Sequence, residues 1–369
     1  MPKTTKHILV IRLSAMGDVA MSVPVLRAFT IQYPEIKITV LTRTFFKPLF
    51  RGLKNVTVVP VDVKGTHKGI LGLYKLASDL NKNNKFDAVA DLHNVLRSNI
   101  LKCFLKSKHS FSIDKGRKEK RRLISGEIFK PLKSTHQRYA DVFEALGYSL
   151  QLSKPIFPEK VVLNTHIRFV LRDSQTKMIG IAPFAAHDGK KYPFDLMKIV
   201  VKELSKTHKV VLFGGGYKEI ALLNSLEKKA SLNNCDIINV AGKLSFNEEL
   251  DVISNLEVML SMDSGNAHLA AMFGVKTVTV WGVTHPYAGF APFNQPENFA
   301  LLSNRKKYPL IPTSVYGNKY PEDYKEASGS ISPEAIIKKI KSIIEYCLYR
   351  LDIVIIYNNF SCNRVCLAG

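Results

Sequence analysis

Short apolar runs alternate with amphipathic stretches along most of this chain. In the first half, runs of strand length cover 7–13, 36–41, 56–61 and 86–91, and segments with helical spacing cover 19–33, 70–81 and 137–146. Strands that alternate with helices are typical of a parallel sheet whose two faces are covered by helices. We therefore predict an α/β domain in this half.

The alternation starts again after residues 148–176, where Pro155 and Pro158 indicate a connection between domains. Predicted strands cover 178–182, 209–213, 237–239 and 258–262, another begins at Val275, and predicted helices cover 193–207, 218–230 and 246–254. Ser332 and Pro333 predict the start of a last helix that runs to about residue 348. The predicted architecture is two doubly wound α/β domains.

Composition supports this architecture, because 369 residues with 46% hydrophobic content can form two cores. No apolar stretch reaches the roughly 18 to 20 residues of a membrane span, and the first residues do not read as a signal peptide. We therefore expect a cytoplasmic protein. The five cysteines are odd in number and scattered, so a disulfide framework is not expected.

The net charge of +22 is concentrated in the first half, where residues 1–150 hold 27 of the 53 Lys and Arg residues but 11 of the 31 Asp and Glu residues. The densest stretch runs from Lys102 to Lys133. A solvated and partly mobile surface is one interpretation of this stretch. The other is a surface for an acidic partner, which could be anionic lipid headgroups, a phosphorylated glycolipid or nucleic acid.

Polar residues follow the predicted strand 258–262 at one tight turn. Asp263, Ser264 and Gly265 form this turn, and His268 lies on the first turn of the short Ala-rich helix that follows. Free backbone N–H groups and the positive end of a helix dipole make such a turn a site for phosphate. His268 either packs in the core or contributes to that site.

A second turn with candidate chemistry follows the first strand. It covers Ser14–Asp18, and Asp18 would point into a crevice at the carboxyl end of that strand. The alternative is an Asp that only complements the helix dipole. A dinucleotide fingerprint is excluded here because the turn has one glycine where three are needed. Asp18 is therefore a candidate base.

Three further loops carry candidate ligand contacts. Lys190 stands just before a helix, where its ammonium could neutralise a phosphate. The turn 214–216 is all glycine and allows close approach of a ligand, and Glu219 beside it could accept hydroxyl hydrogen bonds. Thr284 follows the next strand. No Asp-x-Asp and no His/Cys cluster with metal-ligand spacing occurs, so no metal site is expected.

Taken together, these motifs resemble the ADP-heptose:lipopolysaccharide heptosyltransferases, glycosyltransferase family 9. The resemblance covers about residues 7–345 and rests on six features: Ser14–Asp18, Pro24–Leu26, the Lys190 loop, the Gly214 turn with Glu219, Asp263–Gly265 with His268, and Trp281-Gly282 followed by Thr284. Each motif is modest alone, but their order and spacing are specific.

The resemblance implies a GT-B fold, in which two Rossmann-like doubly wound domains face one cleft. It places an acceptor-binding domain at 1–165 and a nucleotide-sugar-binding domain at 176–330. A helix at 331–350 would cross back to the first domain. Residues 351–369 match nothing in the family, and we assign them no role.

The resemblance also implies a metal-independent inverting glycosyltransferase without a cofactor. Asp18 would be the general base for the acceptor hydroxyl. The donor would be bound by Lys190, Glu219, Asp263, Ser264, Gly265, His268 and Thr284. An anionic glycolipid acceptor and the cytoplasmic face of the inner membrane would be contacted by the basic residues Lys115, Arg117, Lys118, Lys120, Arg121 and Arg122.

One departure from the family concerns the start of the lysine loop. Members often carry a hydroxyl pair there, whereas this chain has Ala185 and Ala186, so phosphate contacts at these two positions could come only from backbone N–H groups. This leaves open another nucleotide-sugar or acceptor glycan. A non-catalytic nucleotide-sugar-binding protein and a nucleic-acid-binding protein are alternatives of another class, although no nucleic acid is expected because recognition motifs are missing.

Overall fold

The computed structural model describes residues 6–172, 177–231 and 235–345 and contains two parallel sheets. The first sheet has the order β3-β2-β1-β4-β5 and consists of β1 (His7–Ile11), β2 (Lys37–Thr42), β3 (Val56–Pro60), β4 (Ala88–Asp91) and β5 (His109–Ser112). In register, Val10 of β1 pairs with Val40 on one side and Ala90 on the other. A central strand of a parallel sheet is buried on both faces, which explains the unbroken apolar run in β1.

Helices cover both faces of the first sheet. One face packs against α1 (Met16–Gln32) and the later helix α5 (Thr135–Ala145), and the other packs against α2 (Gly69–Asn83) and α3 (Leu96–Phe104). Between them in the chain, α4 (Arg117–Ile124) follows β5. The domain is therefore doubly wound, as the sequence predicted.

The second sheet follows α6 (Thr165–Val170) and repeats this architecture with the order β11-β10-β9-β6-β7-β8. Its strands are β6 (Met178–Ala182), β7 (Lys209–Leu212), β8 (Ile237–Asn239), β9 (Val258–Met262), β10 (Lys276–Trp281) and β11 (Ala300–Leu302). Its helices are α7 (Phe194–Leu204), α8 (Tyr217–Ser231), α9 (Phe246–Ser254) and α10 (Gly265–Ala271). All strand pairs of both sheets are parallel.

One apolar cluster runs from the first domain into the second, so the interface between them is partly a shared core. It joins residues of α1 and α5 to residues of α9 and α10. At its edge, Phe45 stacks on Phe246 with the ring centroids 4.5 Å apart, and Arg51 donates to Asn247 Oδ1 at 2.7 Å and pairs with Asp251. These contacts fix how the two carboxyl edges face each other.

The last helix, α11, covers 333–345 in the described part of the chain. The sequence analysis expected it to cross back to the first domain. In the described part of this helix, Ile336, Ile340 and Ile344 pack with α7 and β6 in the core of the second domain, because their spacing gives the helix one apolar face. The expected crossing at 346–350 and the tail at 351–369 lie outside the described residues.

The structure contains elements that the sequence analysis did not predict. These are α3, which leads into the basic stretch, β5 and α4 within it, α6 within the predicted connection, and β11. They have three to nine residues each, so they are too short to show the apolar periodicity on which the prediction depends. In the described residues, no helix is long and apolar enough to cross a membrane.

Candidate active site

The candidate site lies where both sheets change winding direction. In the first sheet this point is between β1 and β4, and in the second it is between β6 and β9. Ligands of open α/β sheets bind at the carboxyl ends of strands at such points. The turns after β1 and β9 are the two that the sequence singled out, Ser14–Asp18 and Asp263–Gly265.

Two glycines bring these turns into contact across the domain interface. A Cβ on Gly17 would lie 3.0 Å from Cδ2 of His268 and 3.3 Å from Cα of Gly265. A Cβ on Gly265 would lie 2.5 Å from Cε of Met16. The N-termini of α1 and α10 therefore meet closely, and Asp18 is held opposite the Ser264 turn.

Asp18 is fixed by an ion pair but remains accessible. Its Oδ2 lies 2.6 Å from Nη2 of Arg12 and accepts the Ala15 N–H at 3.3 Å, while its side chain is 30% exposed. Arg12 is itself buried and donates to the carbonyl of Leu92 at 2.7 Å. Tyr139 donates to the backbone carbonyl of Asp18 at 3.2 Å. The carboxylate thus has a defined position from which it can accept a proton.

A cavity of about 210 Å³ lies between Asp18 and the turn after β9. Lys190, Ser264, Gly265 and His268 line it together with Asp263. Nζ of Lys190 lies 2.8 Å from Oδ2 of Asp263. Ser264 forms the N-cap of α10 without a side-chain hydrogen bond to the helix, so the cavity meets backbone N–H groups. This chemistry suits a phosphate group.

Thr284 is placed behind the cavity rather than in its lining. Its hydroxyl is buried and donates to Oδ2 of Asp263 at 2.8 Å. Since Asp263 pairs with Lys190, Thr284 acts on the cavity through these two side chains. The sequence identified Thr284, Asp263 and Lys190 as candidate donor contacts, but it did not show that Thr284 reaches Lys190 through Asp263.

His268 is a neutral interface residue at ordinary pH. Burial lowers its pKa to about 4, against a smaller opposing effect of the Asp263 carboxylate. Burial also lowers the pKa of His136 on α5 to about 3, and His268 contributes to this shift. His268 therefore both packs between the domains and lines the cavity, without a positive charge to offer.

Glu219 fastens the glycine turn after β7. Its Oε2 accepts the N–H of Gly215 at 2.8 Å and lies 3.3 Å from where a Cβ on Gly214 would be. Among the described residues that line the 210 Å³ cavity, Glu219 does not occur. It lies in the same domain as Lys190 but at the end of another strand.

A larger cavity of about 850 Å³ lies on the other side of Asp18. Its lining is strongly basic and includes Arg12, Lys115, Arg117, Lys120, Arg121, Arg138 and Lys319. Of the predicted acceptor residues, Lys118 lies on the outer surface of α4 and Arg122 pairs with Glu127 at 2.7 Å. The structure thus brings four of the six predicted basic residues together around one cavity.

Lys120 is one of three buried cations in the lining of this cavity, together with Arg12 and Arg138. Its Nζ lies 4.1 Å from the centre of the Phe290 ring. Burial, followed by the neighbouring charge of Arg138, lowers the pKa of Lys120 to about 8. A bound anion would raise the pKa of Lys120 again, because a nearby negative charge favours the protonated ammonium.

The end of the basic stretch is docked onto the second domain. The N–H groups of Leu132 and Thr135 donate to the carbonyls of Tyr287 and Gly289 at 3.0 and 2.8 Å. The guanidinium of Arg305 lies 3.5 Å from the centre of the Phe129 ring. This part of the stretch is ordered by packing, and the cavity wall it forms is fixed.

The sequence analysis missed residues that the fold brings to the site from elsewhere. Arg12 interrupts an apolar strand, a signal that was available but not used. The loop 313–319 lines both cavities, and a Cβ on Gly317, whose φ is +74°, would lie 2.6 Å from Cγ of Lys190. No local pattern indicates that this loop reaches the site.

No three His, Cys, Asp or Glu side chains come together in a geometry that could hold a metal ion within the described ranges. The charged groups next to the smaller cavity are Asp18, Lys190 and Asp263. Charge on a bound phosphate would meet Lys190 and the N-terminus of α10.

The family model of glycosyltransferase family 9 (heptosyltransferase) matches residues 73–316, which is more than half of the chain. This chain belongs to glycosyltransferase family 9. It is therefore a glycosyltransferase, and the family expected from the motifs is confirmed.

Curated relatives extend the match of this family 9 chain. The lipopolysaccharide core heptosyltransferase OpsX of Haemophilus influenzae is 27% identical over 301 residues, which cover 79% of this chain and 83% of the relative. Lipooligosaccharide heptosyltransferase 2 of Campylobacter jejuni is 22% identical over 334 residues, covering 89% and 96%.

Solved structures support the fold. A family 9 glycosyltransferase from Veillonella parvula superposes with a TM-score of 0.72 at 18% identity, over 94% of this chain and 99% of that one. ADP-heptose lps heptosyltransferase II of E. coli superposes with a TM-score of 0.66 at 20% identity, over 92% and 99%. The predicted GT-B fold of this glycosyltransferase is confirmed.

Proposed function

We propose that this glycosyltransferase transfers heptose from ADP-heptose to a lipopolysaccharide core acceptor, with inversion and without a metal ion. The observation that carries the proposal is the position of Asp18, which lines both the phosphate-suited cavity and the basic cavity. A donor in the first and an acceptor in the second would meet at this carboxylate.

In the proposed reaction, Asp18 takes the proton of the acceptor hydroxyl as its oxygen attacks the anomeric carbon of the donor. The bond from that carbon to the diphosphate breaks on the opposite face, which inverts the configuration. Negative charge then grows on the diphosphate, where Lys190 and the backbone N–H groups at 264–265 stabilise it. Arg12 holds the base in position through the 2.6 Å ion pair.

The choice of donor rests on the relatives and on the phosphate-suited cavity. E. coli heptosyltransferase WaaC has been solved with ADP, and its fold superposes with a TM-score of 0.66 over 91% of this chain. Glu219 would contact the nucleoside from the α8 side of the cleft. Because Ala185 and Ala186 replace a hydroxyl pair, another nucleotide-sugar is the second candidate.

The choice of acceptor rests on charge. Lys115, Lys120 and Arg138 would bind phosphate or acidic sugar groups in the 850 Å³ cavity. We propose that the enzyme works as a peripheral protein on the cytoplasmic face of the inner membrane, where such a glycolipid would be presented.

The test compares wild type, Asp18→Asn and Asp18→Ala with ADP-heptose and a truncated, soluble core acceptor. We expect transfer to fall about 100-fold or more in both variants, because a general base contributes on this scale. Binding of ADP, measured by calorimetry, should stay within about twofold, since Asp18 is not a phosphate ligand. Undiminished transfer by Asp18→Ala would remove it as the base.

A second measurement identifies the donor. At equal concentration, ADP-heptose should raise the melting temperature of Asp18→Asn more than UDP- or GDP-sugars do, because the ligand with the lower dissociation constant stabilises the folded state more. A larger shift with another nucleotide-sugar would keep the reaction and replace the donor.

A further inference from the structure

Four large apolar side chains are exposed where α2 and α3 begin. Ile70, Leu71 and Tyr74 on α2 are 61, 84 and 58% exposed, and Leu96, the first residue of α3, is 77% exposed. We call these four residues the apolar edge patch. Clustered exposed apolar side chains mark an interaction surface, whereas scattered ones do not.

The patch lies at the same sheet edge as the candidate base. The helix α2 follows β3, and α3 follows β4, so both begin at the carboxyl edge of the first sheet. The strand β1, which leads to Asp18, ends at this edge too. Tyr74 contacts Phe104, the last residue of α3, edge to face at 5.4 Å, so α2 and α3 pack side by side below the patch.

Basic residues flank the patch. Lys64, Lys68, Lys75 and Arg97 are exposed next to it in the chain. The nearby carboxylate of Asp62 is engaged by the N–H groups of Gly65 and Thr66 at 2.9 and 3.2 Å. Arg117 and Arg121, which line the basic cavity, and Lys118 beside them are also exposed.

We propose that the apolar edge patch docks the enzyme on an anionic lipid bilayer. Ile70, Leu71 and Leu96 enter the headgroup region, and the flanking Lys and Arg side chains contact lipid phosphates. A second copy of this chain is the other candidate occupant of the patch. Two copies that each carry a net charge of +22 repel each other, whereas an anionic bilayer attracts this chain. The inference rests on the proposed function in one respect, namely that the acceptor lies in a membrane.

The first test measures co-sedimentation with vesicles of phosphatidylcholine containing about one quarter phosphatidylglycerol. We expect wild type to bind these vesicles and to lose most binding to pure phosphatidylcholine. The double variant Ile70→Ser, Leu71→Ser should bind about tenfold more weakly, because two apolar side chains no longer enter the interface.

A matched control removes exposed apolar area elsewhere. Val162 and Phe169 are 83 and 82% exposed and lie in and beside α6. The double variant Val162→Ser, Phe169→Ser should bind vesicles as wild type does. Equal loss in both double variants would overturn the assignment of the patch.

A second variant gives a spectroscopic reading that does not depend on binding loss. The single tryptophan, Trp281, is 1% exposed and supplies a constant background. In Leu71→Trp, anionic vesicles should shift the emission of the new indole to shorter wavelength, since it leaves water. Phe169→Trp should show no shift, and a shift confined to Phe169→Trp would overturn the proposal.

Further outcomes separate this proposal from the proposed function. Transfer to a soluble acceptor by Ile70→Ser, Leu71→Ser should equal that of wild type, because neither residue lines the cavities. Transfer without any vesicle binding by wild type would overturn the docking surface and leave the enzyme assignment intact. Vesicle binding through the patch without any transfer would leave the docking surface intact and overturn the proposed function. A dimer that the double variant dissociates would assign the patch to a second copy.

Discussion

The guanidinium of Arg12 lies 2.6 Å from the carboxylate of Asp18, and a second nitrogen of the same group donates to the Leu92 carbonyl at 2.7 Å. Arg12 thus joins the ends of the two central strands, β1 and β4, to the candidate base. The position of Asp18 therefore depends on a buried cation at the end of β1 as well as on the first turn of α1.

Replacing Arg12 by Gln should lower kcat about 10- to 100-fold with little change in the dissociation constant of ADP. The physical reason is orientation, since a base displaced by even an ångström loses much of its effect. Steady-state kinetics with calorimetry for ADP would check this. Arg12→Lys keeps the charge but not the planar fork, so it should restore part of the activity. A loss confined to the KM of the donor would contradict the positioning role.

Thr284→Val should weaken ADP binding about 2- to 10-fold, because the variant removes one buried hydrogen bond of Asp263 and so loosens Lys190. Calorimetric titration with ADP measures the effect. Thr284→Ser, which keeps the hydroxyl, should bind ADP nearly as wild type does. Equal affinities of Thr284→Val and wild type would mean that Lys190 is held without this contact.

Acceptor affinity should fall as pH rises through about 8. Burial lowers the pKa of Lys120 to about 8, so the free enzyme loses this charge there, and an anionic acceptor loses a partner. We expect kcat/KM for the acceptor to decrease above that pH. Lys120→Arg remains charged and should abolish the decrease, whereas Lys120→Met should show low values throughout. A profile that is the same in all three proteins would exclude Lys120 from acceptor binding.

Acid should destabilise the fold through the buried histidines. The pKa values of His136 and His268 are lowered by burial to about 3 and 4, below the ordinary value of about 6.5. At pH values between the lowered pKa and the ordinary pKa, the unfolded chain binds more protons than the native one. The free energy of unfolding therefore falls as pH falls from 6.5 towards 4. The slope from each histidine is at most about 1.4 kcal/mol per pH unit.

Urea denaturation at several pH values would measure this slope. The variant His136→Gln should have a shallower pH dependence than wild type, and the exposed His187→Gln should match wild type. A steeper dependence in His136→Gln would contradict the assignment.

The sequence predicted what depends on local apolar periodicity and turn chemistry. The strands of both sheets except β5 and β11 were predicted within a few residues, and Asp18, Lys190 and the Ser264 turn were identified. These features combine a buried strand with a polar turn at its carboxyl end, which is visible in a single segment.

What the sequence did not reveal depends on long-range placement. The loop 313–319 reaches Lys190 from more than a hundred residues away, and Arg12 was read as part of an apolar strand. The crossing of the last helix between domains stays a prediction. Its described part packs in the second domain, and the partner of such an apolar helix face is decided by packing, not by the helix itself.

The contact between Gly17 and Gly265 has a consequence for movement. This contact lies beside Asp18 and the Ser264 turn. If one domain rotates on the other about this contact, the axis of rotation passes close to the reacting centre. The outer rims of the cleft would travel far while the base and the leaving group kept their separation. Substrates could then enter and leave without the catalytic geometry being rebuilt in each cycle.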